Sequence, residues 1–488
     1  MRSAFAFLAA LLAVGAPYVL LLSTLAVSGA EAAVSPLRAH RKVLQARRPR
    51  PEPITSLETG RYSPVTQPNG KFNALSFNDI QPAGLALGFN LSRVVQSAMK
   101  MSQHSWEYGT VAQMLLEVYD APSSVFGSNA SASAFPFGKV PRVPISTSPS
   151  LTYGKEHITI PSSTSTELIH GDGSAGDPAS LGVAATMIGI MEPKYASAAQ
   201  RQLDHLLRDV PRWPNGAISH REDKAVLWAD FMAMVPPFIA FQAVAQNNTE
   251  LMQTAVEQIA LYRDVLRTSP TSAGAGAWQH IVGPEAQSLG IWTTGNAWAA
   301  VGMVRVLATM QNWPATADWT AQQKQVRQYI YEILDSAQHF SGLGDSTSSI
   351  SGSSAIGLDA SNGLLRGYLI GGYKGSSDTS ATWPGEITGT AGLVASIYRI
   401  AILDPPGAAK YIAMADTLRN AVAAAVDPRT GIAKPAMSPY AWWDPQPAPK
   451  GSPEGQAMVA MMGAAYRECI TASVCSNTAT STSGSSSS

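Results

Sequence analysis

Charge is scarce in this sequence, and what there is cancels. Only 14% of the 488 residues are charged, and 34 basic residues balance 34 acidic ones, where a globular chain ordinarily carries about a quarter. Without net positive charge the electrostatic basis for nucleic-acid binding is missing, and no such partner is expected. Cysteine is rarer still, with Cys469 and Cys475 alone. Their spacing fits no zinc pattern, so no metal and no other cofactor is expected. In an exported protein the pair could close a small terminal loop as a disulfide. Strand signals are sparse.

Long apolar runs are confined to one, Ala4 to Ala30, which follows Arg2 and leads into Ala30-Glu31-Ala32. Residues 1–32 read as a secretory signal peptide, so the protein is expected outside the cell with no stable membrane association after cleavage. A signal-anchored membrane protein is the alternative. The run is long enough to span a bilayer, and Arg38, Arg41, Lys42, Arg47, Arg48 and Arg50 follow it, where positive charge opposes translocation. Sequons at Asn90, Asn129 and Asn247 agree with a secretory route. Residues 33–81, rich in Pro and Arg, read as a disordered linker, and the Ser-rich 477–488 as a disordered tail.

What the remainder has is helical patterning. It starts near Leu85 and recurs near 178–192, 195–209, 225–246, 248–268, 295–311, 319–339, 384–403, 407–425 and 453–470. Residues 121–174, rich in Ser, Pro and Gly, read as a long loop. Glycine-rich polar turns join the runs. This predicts an all-α domain over 82–476, with helical hairpins closing into a ring and functional loops at one end.

The chemistry is expected around NGAISHREDKAVLWADFMAMVPPF, residues 215–238. Leu227, Phe231, Met234 and Val235 recur at helical spacing, which puts Asp230 inside one buried helix. A carboxylate there must be paired, hydrogen-bonded or protonated. Burial raises its pKa, as a general acid near neutral pH requires; a structural ion network is the competing reading. His220 lies in a polar turn that could return over the same pocket. Asp177, ahead of Pro178, reads either as a helix N-cap or as a second carboxylate aimed into the pocket. Similar polar-aromatic groups fall on other turns: Trp278 with His280, Trp292 with Asn296 and Trp298, and Tyr373 with Lys374. Trp106 and Tyr108 stand at the mouth of a helix, where they are either core or a platform for sugar rings. Recurrence at one kind of turn is the signal, since such turns line a pocket at one end of a ring.

The series GDPASLG, HREDKAVLWADFMAMVPPF, AWQHIVG, WTTGNAWAAVGM, ATWPGEITGTAGL and SPEGQAMVAMM resembles glycoside hydrolase family 105, the unsaturated rhamnogalacturonyl hydrolases, related to the unsaturated glucuronyl hydrolases of family 88. The resemblance covers roughly residues 85–470 and implies a six-hairpin (α/α)6 barrel. It implies an oligosaccharide substrate carrying a 4,5-unsaturated uronic acid at its non-reducing end, and release of that sugar by hydration of the double bond. It casts Asp230 and Asp177 as the catalytic carboxyls. It casts His220, His280, Trp292 and Trp298 as pocket residues, and Trp228, Asn296, Trp106, Tyr108 and Lys374 are expected beside them as substrate contacts from their own places in the sequence. In one respect the chain departs from the pattern: Thr294 stands before Gly295-Asn296, where many relatives carry Arg, which puts the substrate's carboxylate partner in question. Two alternatives accompany this reading, a catalytically inactive carbohydrate-binding protein on the same barrel and a six-hairpin glycosidase acting on saturated sugars.

Overall fold

The computed structural model describes residues 80–127, 134–269, 276–344, 356–373 and 383–477. The signal-peptide assignment, nearly all of the linker and of the tail, the Asn129 sequon and Lys374 lie outside the described residues.

Among the described residues twelve helical segments alternate between an inner and an outer ring, giving the all-α (α/α)6 barrel. The inner ring is α2 (Ser105–Val118), the broken pair α4 (Gly176–Ala179) and α5 (Gly182–Gly189), α7 (Phe231–Gln246), α9 (Thr293–Asn312), α11 (Ile387–Leu403) and α14 (Pro453–Thr471). These pack in that order around the ring, and α14 closes it against α2. The outer ring is α1 (Leu91–Met101), α3 (Pro149–His157), α6 (Pro193–Arg208), α8 (Thr249–Leu266), α10 (Thr320–Ser341) and α13 (Ile412–Ala424), with a short α12 (Pro405–Ala408) before the last. Sequence divides the two rings plainly. Helix α9 buries every residue from Thr293 to Met310, as expected of a helix surrounded by others, whereas α1 and α6 bury only one face. None of the described helices is long and apolar enough to cross a membrane.

Close approach between inner helices has a specific cause at α7 and α9. Pro236 and Pro237 lie inside α7, and Pro236 cannot donate to the carbonyl of Met232, four residues back. Gly302 of α9 packs against that carbonyl, and a Cβ there would stand 1.9 Å from its oxygen. At the C-terminal half of the ring, Glu117 is enclosed with Arg305 (2.8 Å) and Arg399 (3.3 Å). Burial opposes its charge, but the two guanidiniums outweigh burial and hold the carboxyl below its usual range.

Three expectations need correction. Residues 225–246 are not one helix: Leu227–Trp228 form strand β1, paired antiparallel with β2 (Ile281–Val282), and helix begins only at Phe231. The run 178–192 is broken at Ser180–Leu181. Residues 121–174 contain α3, whose N-cap Ser148 accepts from the Leu151 N–H at 3.1 Å while donating to Asp120 at 2.6 Å. The predicted disulfide is present between Cys469 and Cys475.

Candidate active site

The inner helices point their N-termini toward one end, and short bridges between loops knit that end together. The β1–β2 pair is the central one. Trp228 pairs with Ile281, and the Ala229 N–H donates to the His280 carbonyl at 2.9 Å. Two residues of strand thus set His280 beside Asp230, the N-cap position of α7. His280 Nε2 stands 3.4 Å from Asp230 Oδ2. That is longer than a formed hydrogen bond, and both atoms are buried without a hydrogen-bond partner.

Asp177 comes from the other side. Ala175, not Asp177, occupies the N-cap position of α4, and the Asp177 carboxyl faces His220. A bridge between Ser174 and Arg221, with the Ala175 N–H donating to the His220 carbonyl at 2.8 Å, brings His220 against it. His220 Nε2 is 3.4 Å from Asp177 Oδ1 and 3.2 Å from the Ser174 hydroxyl. Its ring stacks on Trp228, centroids 4.9 Å apart. The two carboxyls thus each face one histidine, with Trp228 between the histidines.

Electrostatics separates the partners. Burial drives the His220 pKa down to about 4, with Asp230 pulling the other way and Arg221 and His280 reinforcing the fall. At neutral pH His220 is therefore uncharged and cannot act as an ion partner. Asp177, only 9% exposed, is pushed up to about 7, first by burial and then by the charge of Asp230, against the Ser174 hydroxyl and Arg221. More carboxyls gather at the same end. Glu454, buried in the first turn of α14, is held well above its usual range by burial, with Glu107, Asp230, Glu386 and Asp177 adding to it. Glu386, fully buried, caps α11 by accepting from the Thr388 (2.6 Å) and Gly389 (2.7 Å) N–H groups. Among the described residues no group of His, Cys, Asp and Glu is arranged to hold a metal ion.

The other expected contacts divide. Trp292 packs against His280 at 4.1 Å and Trp228 lies edge-on to it at 5.8 Å. Trp106 stacks on His104 at 5.0 Å and leans on Tyr440 at 5.6 Å. Three expected contacts are not brought to the pair. Asn296 is fully buried and wholly engaged: its carbonyl accepts from the Trp278 N–H (2.8 Å) and its amide donates to the Trp278 and Trp292 carbonyls (2.9 Å each). Its role is to tie the His280 strand to α9. Trp298, 2% exposed, belongs to the barrel core. Tyr108 stacks on His157 of α3 at 4.0 Å. Thr294 is also buried, and its hydroxyl donates to Glu386 at 3.0 Å.

The segment 436–452 supplies what sequence reasoning missed. Trp442 stands edge-on to Trp228 (5.3 Å) and to His280 (5.4 Å), and Tyr440 joins Trp106 and His104. The signal was the aromatic run YAWW, set in a proline-rich stretch without periodicity.

The model of Glycosyl Hydrolase Family 88 matches residues 184–348, a span that holds His220, Asp230, His280 and Trp292 but neither Asp177 nor Glu454. A solved structure of a possible family GH105 member from Salmonella enterica serovar Paratyphi A shares 13% identity over 84% of this chain and 99% of its own, with a TM-score of 0.54. A family 105 glycoside hydrolase from C. acetobutylicum shares 11% over 78% of this chain and 99% of its own, with a TM-score of 0.52. At such identities the likeness is one of fold. Among curated proteins no match is found. The family 88 match thus spans the central third of the chain, and the likeness to the two solved structures is that of a shared six-hairpin (α/α)6 fold.

Proposed function

We propose that the protein removes a 4,5-unsaturated uronic acid from the non-reducing end of lyase-cut oligosaccharides of the rhamnogalacturonan or pectin type, by hydrating the double bond. The observation that carries this reading is the pair of carboxyls, Asp177 and Asp230, each facing a histidine at one end of the ring. Burial and the charge of the neighbouring carboxyl outweigh Arg221 and let Asp177 keep a proton close to neutral pH, so the site holds the proton that a vinyl ether needs.

In the proposed reaction a proton passes from the Asp230 carboxyl to C4, and the C4=C5 electron pair forms the new C–H bond. The positive charge left at C5 is shared with the ring oxygen. Water adds at C5 and gives a proton back to the carboxylate. The resulting hemiketal opens, and the hemiacetal at C1 then expels the remaining sugar. Asp230 is assigned the transfer because its Oδ2 is buried and unbonded, whereas Asp177 is engaged with the Ser174 hydroxyl and stands beside His220. His280 is assigned to orient Asp230, and Trp228, Trp292 and Trp442 to wall the sugar. Secretion is part of the proposal, on the apolar run Ala4–Ala30 and the Cys469–Cys475 bond.

A six-hairpin glycosidase acting on saturated sugars is the second reading. One observation favours it: Thr294, not an arginine, precedes Gly295-Asn296, and its hydroxyl is bound to Glu386. Turnover in heavy-oxygen water separates the two. Hydration puts solvent oxygen at C5 of the released keto sugar, whereas direct hydrolysis puts it at the anomeric carbon.

A further inference from the structure

A groove of 940 Å³ runs beside the candidate active site, between the end of α1, the start of α2 and the turns before α14. Its charge is one-sided. Arg93, Lys100, Lys434 and Lys450 line it, in a chain whose net charge is zero and which has only twelve lysines. All four side chains belong to exposed residues. Arg93 donates to the Pro428 and Arg429 carbonyls and Lys434 Nζ lies 3.4 Å from the Pro449 carbonyl, which are neutral neighbours. No ion pair engages any of the four among the described residues. The one carboxyl in the lining, Glu107, is 2% exposed and is turned to the backbone, accepting from the Gln103 (2.6 Å) and His104 (3.0 Å) N–H groups.

Between this groove and the carboxyl pair stands the aromatic trio His104, Trp106 and Tyr440. His104 and Tyr440 line the groove, and Tyr440 is close enough to Asp177 to feel its charge. The start of α2 also abuts α4: the Ser180 hydroxyl donates to the Asp177 carbonyl at 2.5 Å and reaches the Ser105 carbonyl at 3.4 Å. The cations thus begin where the acidic pocket ends.

We propose that this groove binds the carboxylate-bearing part of an acidic oligosaccharide beyond the bond being broken, with Arg93, Lys100, Lys434 and Lys450 facing its uronates and the His104–Trp106–Tyr440 trio stacking the sugar at the junction. The proposal rests on the reading of the site as one that acts on the end of a uronate-containing chain. It assigns opposite electrostatic tasks to neighbouring surfaces: the carboxyl pocket keeps a proton, and the basic groove holds the anionic remainder. Exposed cations of this kind give salt-dependent affinity.

The test is calorimetric titration with saturated tetragalacturonate, which has no double bond to hydrate, and with a neutral tetrasaccharide, into the full protein and its Lys434→Gln/Lys450→Gln variant. Both lysines are exposed, so the variant keeps its fold. The acidic oligomer is expected to bind the wild type more tightly than the neutral one. Its Kd is expected to weaken about tenfold in the variant and with added salt, the neutral oligomer being unaffected. Equal affinity for the two oligomers, or an acidic-oligomer Kd unmoved by removing both lysines, overturns the proposal. A protein that hydrates no unsaturated sugar yet prefers the acidic oligomer sinks the catalytic reading and upholds the groove; an active protein indifferent to charge does the reverse.

Discussion

His280 Nε2 and Asp230 Oδ2 are 3.4 Å apart, both buried and neither with a formed hydrogen bond. Two buried polar atoms held together but unbonded are unusual in a folded chain, and at active sites such contacts tighten when substrate arrives. Asp230→Asn keeps the shape and removes the proton. Turnover is expected to fall about a thousandfold or more, within reach of general-acid losses, with the circular dichroism spectrum unchanged. A variant near the wild-type rate would remove Asp230 from the chemistry.

The pair's proton gives a pH dependence with a definite sign. The Asp177 carboxyl is raised from 3.8 to about 7, chiefly by burial. A raised folded-state pKa contributes stability that is complete below the unfolded value and is lost as pH rises through the folded one. Asp177→Asn abolishes the buried charge, so its Tm is expected to exceed wild type at about pH 8 and to match or trail it at about pH 5. Calorimetry at the two pH values checks this, and an identical difference at both would contradict it.

Asn296 was expected to touch substrate, and its amide is spent on the Trp278 and Trp292 backbone. Removing one partner of a buried hydrogen bond leaves the other unsatisfied, at about 1–3 kcal/mol each. Asn296→Ala is therefore expected to lose on the order of 3 kcal/mol or more in urea unfolding. A substrate contact would raise KM and leave the unfolding midpoint in place.

Trp442 contributes two edge-on aromatic contacts, to Trp228 and His280. At about 0.5–1.5 kcal/mol per aromatic pair, Trp442→Ala is expected to lower kcat/KM about tenfold. Phe137→Ala, at a residue 90% exposed, serves as the control. Equal effects from both would place Trp442 outside the pocket wall.

The ring was legible because inner helices are apolar on every side and outer ones on a single face, patterns that survive in sequence. The carboxyl pair and both histidines were legible because each lies in a compact motif. The strand that seats Asp230 was not, since two residues carry no period, and the flanking apolar residues mimic a helix. Helix α3 escaped for a related reason: it buries only Ser150, Leu151, Tyr153 and Gly154, too few for a stripe, although Ser148-Pro149 marks its start. Asn296 looked like a ligand because an amide beside tryptophans suits a sugar equally well, and only geometry shows its bonds already used. Glu386 and Glu454 sat in plain view, but a carboxyl at a helix's start looks the same in sequence whether or not it caps.

The central claim is hydration of an unsaturated uronic acid, and ultraviolet absorbance of its conjugated C4=C5 bond tests it most directly. Purified protein is mixed with lyase-cut rhamnogalacturonan disaccharide, and in parallel with unsaturated glucuronyl disaccharide. Decay of the absorbance with wild type, and none with Asp230→Asn, is the expected result. A steady absorbance on both sugars, with release of a saturated sugar from an ordinary nitrophenyl glycoside, would contradict the account.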